Sequence, residues 1–194
     1  MHHSVKNNFQ LMISILNLQL QKISNDQFKA TFQYSINRVT TIARVHDKLL
    51  KSKNLNKIAV HDYIVNIIDD LKIIYTSLYA IDMQINVDKN ICMDMDQTQA
   101  LGLIINELIT NSNKYAFTKE ANNIINLTIK NKEDLICFEY SDNGVGFNMD
   151  TVNKKDFIGI TLIQRLANQL GTQATITSKT GMHISFSFKS KLKV

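Results

Sequence analysis

The chain opens on a run without Gly or Pro, from His2 to Gln21. Plotted at helical pitch, His3, Asn7, Gln10, Ser14, Asn17 and Gln21 fall in one narrow polar stripe. Val5, Phe9, Leu11, Met12, Ile15, Leu16, Leu18 and Leu20 cover most of the remaining surface. A helix apolar around so much of its circumference must be covered from more than one side. Ser24-Asn25-Asp26 is a short turn of helix-capping residues. It leads to a second predicted helix, Gln27 to Lys51, with Phe28, Phe32, Ile36, Val39, Ile42, Ala43, Leu49 and Leu50 as its buried stripe. Two helices joined by a tight turn make an antiparallel hairpin, and two hairpins close a four-helix bundle. A homodimer is therefore expected. The competing arrangement is a hairpin covered by the rest of its own chain.

After a polar linker, Ser52 to Lys57, the pattern changes. Lys57 to Val60 reads as a short strand. Asp62 to Tyr79 reads as a helix with Ile64, Ile67, Ile68, Leu71, Tyr75 and Leu78 inward. Met83 to Val87 and Ile91 to Met95 alternate apolar and polar, like a strand pair. A helix is predicted over Gln97 to Ala116. Ile124 to Lys130 and Leu135 to Tyr140 form another alternating pair, and Val145 to Phe157 is a polar loop. Ile160 to Leu170 is a helix ended by Gly171. Ala174 to Ser178 and His183 to Lys189 form a closing hairpin around Gly181. The predicted class is α+β, an N-terminal helical hairpin over residues 1–52 followed by a mixed domain over 58–194 with its strands in hairpins.

Composition narrows the function classes. The apolar fraction of 44% is that of a globular protein, and no run is long and apolar enough to cross a bilayer. No signal peptide is visible, and Cys92 and Cys137, far apart, suggest neither a disulfide framework nor a zinc site. Both features point to a cytoplasmic location and to no membrane contact by this segment. The net charge of +5 comes mostly from scattered Lys, without a dense basic run interleaved with aromatics. Nucleic-acid binding is thus disfavoured, and an acidic protein partner remains open. Met1 stands directly before a chemically loaded segment, as expected for the excised core of a longer protein.

The candidate chemistry lies in three stretches. On the helix ending in Asn106-Glu107-Leu108-Ile109-Thr110-Asn111-Ser112-Asn113-Lys114-Tyr115-Ala116, four residues share one face: Glu107, Asn111, Lys114 and Tyr115. A carboxylate, an amide oxygen, an ammonium and a ring can together hold a metal ion, a polyphosphate and a flat base. The alternative is a polar helix face in solvent. Asp142-Asn143-Gly144-Val145-Gly146 follows a strand directly. Its glycines let the backbone approach a ligand, and a strand-end Asp can accept from an exocyclic amine. By itself such a turn is common. Gly159 begins the next helix, where free N–H groups suit phosphate.

Taken in order, these stretches resemble the ATP-binding domain of sensor histidine kinases, in the superfamily that also holds gyrase-type, Hsp90-type and MutL-type ATPases. His3-Ser4-Val5-Lys6-Asn7-Asn8-Phe9-Gln10 resembles the phosphoacceptor box of an HWE-like subgroup, which usually reads His-Arg-Val-Lys-Asn-Asn-Leu-Gln. Asn106-Glu107 to Ala116-Phe117 and Ile158-Gly159-Ile160 to Leu170-Gly171 are similar to its later boxes. The resemblance implies a two-layer α/β sandwich of the Bergerat type, with ATP and Mg²⁺ as cofactors. It also implies a phosphorylated His3, and Asn111 and Glu107 at the metal. Lys114 would meet the phosphates, Tyr115 would flank the base, and Asp142 would take the adenine amine. Gly144 and Gly146 would shape the pocket, Gly159 would close over the phosphates, and Asn148 to Asp156 would form a short lid. The implied partner is a response-regulator receiver domain.

A His on a polar helical stripe stays solvated, so its neutral, nucleophilic form is available near neutral pH. His2 points off that stripe, and His46, His61 and His183 suit surface or packing roles. Asn7, one turn beyond His3, would orient water against the partner's phosphoaspartate. Several positions depart from the subgroup pattern: Ser4 for Arg, Ser112 and Asn113 for apolar residues, and Phe157 and Thr172 for glycines. No acidic residue directly follows His3, so no general base is identified. Two rivals stand beside a kinase: a non-catalytic phosphotransfer module with a degenerate ATP-binding domain, and an ATPase-driven clamp.

Overall fold

The computed structural model describes residues 2–50, 57–75, 81–118, 122–147 and 158–192. The chain divides into two compact units, residues 1–53 and 54–194.

The first unit is a helical hairpin, α1 (His2–Leu20) and α2 (Asp26–Leu50). Asn25 caps α2, its Oδ1 accepting the Phe28 N–H at 3.0 Å and satisfying one of the free donors of the first turn. The polar stripe of α1 stays in solvent: Asn7, Gln10, Ser14 and Asn17 are all exposed. Ile36 is buried in the seam, and Phe9 lies against the His46 ring at 5.9 Å. Phe28 corrects the expected α2 stripe, being 70% exposed. It lies in the first turn of α2, next to the connection between the two helices. On α1, Leu11, Met12, Ile15 and Leu18 are exposed as well, an apolar row at helical spacing.

The second unit holds β1 (Ile58–Ala59), α3 (Val60–Tyr75), β2 (Ile81–Val87), β3 (Cys92–Met93) and α4 (Met95–Asn111). A π-turn (Ser112–Ala116), β4 (Asn123–Lys132), β5 (Leu135–Asp142), α5 (Ile158–Gln169), β6 (Thr175–Ser178) and β7 (Met182–Lys189) follow. The main sheet has the order β2-β4-β5-β7-β6, antiparallel except for β2 and β4. Alternation sorts its two faces. Ile125, Leu127 and Ile129 of β4, Ile136, Phe138 and Tyr140 of β5, and Ile184, Phe186 and Phe188 of β7 are buried. Phe138 and Phe186 stack at 4.5 Å. The other face carries Asn126, Glu139, His183 and Ser187, all exposed. Leu101, Ile104, Ile105, Leu108 and Ile109 of α4 are fully buried, so helices cover one face only in a two-layer sandwich.

The strand pair expected over residues 83–95 does not form. β3 pairs with β1, and β2 runs parallel to β4. The Asp88 N–H continues that ladder to the Ile129 carbonyl at 3.0 Å, while Asp88 Oδ2 accepts the Asn131 N–H. Parallel neighbours cannot be joined by a tight turn and need a crossover. Here the crossover includes α4, which places the end of that helix beside the strand ends. Asp94 caps α4 by accepting the Gln97 N–H at 2.8 Å, and the Gln97 amide clasps the β7 end through the Lys189 carbonyl and the Lys191 N–H. α5 ends in a Schellman pair, Gly171 N–H to the Asn168 carbonyl and Thr172 N–H to the Ala167 carbonyl.

Candidate functional site

The alternation that buries Ile136, Phe138 and Tyr140 also turns Asp142 inward, so β5 ends in a carboxylate beneath the helical layer. Asp142 is 6% exposed and accepts three hydrogen bonds. Its Oδ1 accepts the Gly144 N–H at 3.0 Å and the Met182 N–H at 3.1 Å. Its Oδ2 accepts the Ser112 hydroxyl at 2.6 Å. Ser112 also meets the Tyr140 hydroxyl at 2.8 Å. Burial pushes the Tyr140 phenol far above its ordinary value, and the Asp142 charge adds to that against the Ser112 hydrogen bond. Tyr140 therefore keeps its proton and donates.

The turn after Asp142 is tied down on three sides. Asn143 grips the start of β4, accepting the Ile124 N–H at 2.7 Å and donating to the Asn122 carbonyl. The Val145 N–H donates to the Ala116 carbonyl at 3.0 Å. Gly144 lies so near Ala116 that a Cβ there would overlap it. Gly146, at φ 65°, passes the Lys179 carbonyl, and the Phe147 N–H donates to Ser178 Oγ at 2.8 Å. Gly181 has φ 84°, and a Cβ on it would run into the Asp142 carbonyl oxygen. Gly181→Ala should therefore lower stability by about 2–4 kcal/mol, combining left-handed strain with backbone overlap. A denaturant melt checks the value.

The four residues expected on one face of α4 form a gradient. Glu107 is 2% exposed, which overturns the solvated-face alternative at that position. Asn111 is half-buried, Lys114 is exposed, and Tyr115 is 69% exposed. The cause is the π-turn, which widens the last turn and rotates Lys114 and Tyr115 off the straight helical stripe. Ser112 and Asn113 are consecutive and both buried. The Asn113 amide donates to the Ile109 carbonyl at 3.0 Å, one turn back along the helix. The polar departures at 112 and 113 thus build the site: one holds Asp142, the other the turn. Tyr140 and Ser178 carried no signal in a linear reading, because each acts through a partner distant in sequence.

Gly159 is buried in the first turn of α5, which itself carries no acidic residue. The lid expected over 148–156 lies outside the described residues. His3 is in the first turn of α1, but its side chain is outside them too. Asn7 is exposed. His61 bonds Asp62 at 3.0 Å, and His183 is exposed on the open sheet face.

The hydrogen bonds at Asp142 leave it able to accept one more donor. A carboxylate has about four lone-pair positions, three of which are filled at Asp142, leaving one on Oδ2 for an amine. Among the described residues no group of three or more His, Cys, Asp or Glu could hold a metal alone. Mg²⁺ would instead take Glu107 and Asn111 oxygens together with phosphate and water, as it commonly does.

Two family models match the chain. One described as "Histidine kinase" covers residues 1–75, and one described as "Histidine kinase-, DNA gyrase B-, and HSP90-like ATPase" covers residues 96–193. The chain belongs to the sensor histidine kinases. Among histidine kinase relatives, Sensor histidine kinase PdtaS of Mycolicibacterium smegmatis is 30% identical over 94% of this chain and 36% of its own length. That of Mycobacterium tuberculosis is 28% identical over 86% of this chain and 33% of its own. The chain thus spans about a third of the length of these curated relatives. A solved histidine kinase domain from the Erythrobacter litoralis EL346 blue-light activated histidine kinase has the same fold. It has TM-score 0.65 and 18% identity, over 97% of this chain and 88% of that one. No helix among the described residues is long and apolar enough to cross a membrane.

Proposed function

We propose that this chain is the cytoplasmic, ATP-dependent core of a protein-histidine kinase. It phosphorylates His3 and passes the phosphoryl group to an aspartate of a response-regulator receiver domain. The observation that supports this most is Asp142, a carboxylate fixed by three donors with one acceptor position left for the adenine amine. Glu107 and Asn111 hold the cation, Lys114 meets the phosphates, and Tyr115 flanks the base. Gly144 and Gly146 shape the turn, and the α5 terminus at Gly159 faces the phosphates. Phosphoryl transfer asks for positioning and charge neutralisation more than covalent chemistry by the protein, and these residues supply both. A neutral His3 ring nitrogen offers its lone pair to the γ-phosphorus as the bond to ADP breaks. The exposed row Leu11, Met12, Ile15 and Leu18 supports pairing of two hairpins into a four-helix bundle, hence a homodimer.

Incubation with γ-labelled ATP and Mg²⁺ tests the reading. Wild type should retain acid-labile label, and Asn111→Ala should retain none. Hydrolysis without retained label would favour the ATPase clamp, and failure to bind ATP the relay module.

A further inference from the structure

The protons around Asp142 run in one direction only. Oδ1 has both lone pairs filled by backbone N–H groups, from Gly144 and Met182. A carboxylate only accepts, so the single Ser112 proton is committed to Oδ2. Ser112 can then only accept from Tyr140, whose hydroxyl is 2.8 Å away. Ser112 and Tyr140 are each 1% exposed, so solvent does not scramble this order. Among the described residues no other side-chain or backbone donor reaches Asp142. What remains is one lone pair on Oδ2 and one on Ser112 Oγ, with no donor at all.

We propose, building on the nucleotide reading above, that Ser112 and Tyr140 are positioning residues that select a 6-amino purine by ordering these protons. One acceptor position matches one N–H of a 6-amino group. A 6-oxo group would set its own lone pairs against two acceptors, a repulsive contact. The paired N1–H and N2–H₂ donors of guanine would need both carboxylate oxygens, and Oδ1 is already filled. Loss of the Tyr140 proton frees Ser112 to rotate and donate to a ligand. Loss of Ser112 opens a second acceptor position on Oδ2. Either change blurs the selection.

The test measures affinities of the whole chain with Mg²⁺ for ATP, GTP and purine riboside triphosphate, which lacks the 6-amino group. Wild type should prefer ATP to both. In Ser112→Ala and Tyr140→Phe the ATP preference should fall about three- to tenfold, the size of one net hydrogen bond. A role in packing alone would weaken all three nucleotides by one factor, and unchanged ratios would overturn the proposal. If Tyr140→Phe does not fold, the Ser112→Ala ratios decide alone. A wild type that binds ATP with variant ratios unchanged removes only the role of this pair. A wild type that binds none of the three removes the nucleotide reading and this proposal with it.

Discussion

Asp142→Asn should weaken ATP binding by about 100-fold, or 2.7 kcal/mol, while leaving a folded protein. The substitution keeps shape but replaces one oxygen by an NH₂ group. The remaining oxygen would stay with the Gly144 and Met182 N–H groups, because both need an acceptor. The NH₂ would then face Ser112 and the ligand amine, donor against donor. Ser112 would have to accept from it and give its proton to Tyr140, leaving the buried Tyr140 proton without an acceptor. Stability should fall by about 1–3 kcal/mol, the range for one stranded buried donor. Calorimetric titration with ATP and a urea melt read the two effects. Wild-type affinity in the variant would mean that Asp142 does not touch the nucleotide.

His3→Gln should abolish acid-labile phosphate on the chain with ATP affinity unchanged. Gln keeps a polar, helix-compatible side chain at the start of α1, so the hairpin should be preserved. It has no ring nitrogen with an available lone pair, and the amide nitrogen is a poor nucleophile. The proposed ATP site lies in the other compact unit, so its affinity serves as an internal control. Phosphate retained on the variant would move the acceptor elsewhere, with His2 the first position to examine. In the same assay with a phosphorylated receiver domain, Asn7→Ala should slow dephosphorylation. An unchanged rate would leave Asn7 as a solvated polar residue on the stripe.

The helices and the local hairpins were legible because their signals are short-range. The Asn25 cap, the α1 stripe, the turn between β4 and β5 and Gly181 between β6 and β7 act within a few residues. Phe28 was misread because periodicity gives a phase, and the phase does not say where the partner helix stops. The supposed pair over residues 83–95 was misread because alternation marks a strand without naming its neighbour. Val87 pairs with Ile129, forty-odd residues on, across α4. The candidate site divides the same way. The Asp-Gly turn and the Asn111 helix could be picked out by residue type, but Ser112 and Asn113 looked like departures until their partners were known.

The sequence by itself determined the α+β class, the placing of the helices and the closing hairpin, since each rests on periodicity, capping or glycine placement within one stretch. Tertiary structure alone decided that Asp142 would be held by Ser112 and Met182, residues 30 and 40 positions away. It also decided that a π-turn would end α4 and that one acceptor position on Asp142 would stay unfilled. The number of donors a buried carboxylate meets depends on which backbone and hydroxyl groups the sheet crossover brings to it, and no local pattern carries that.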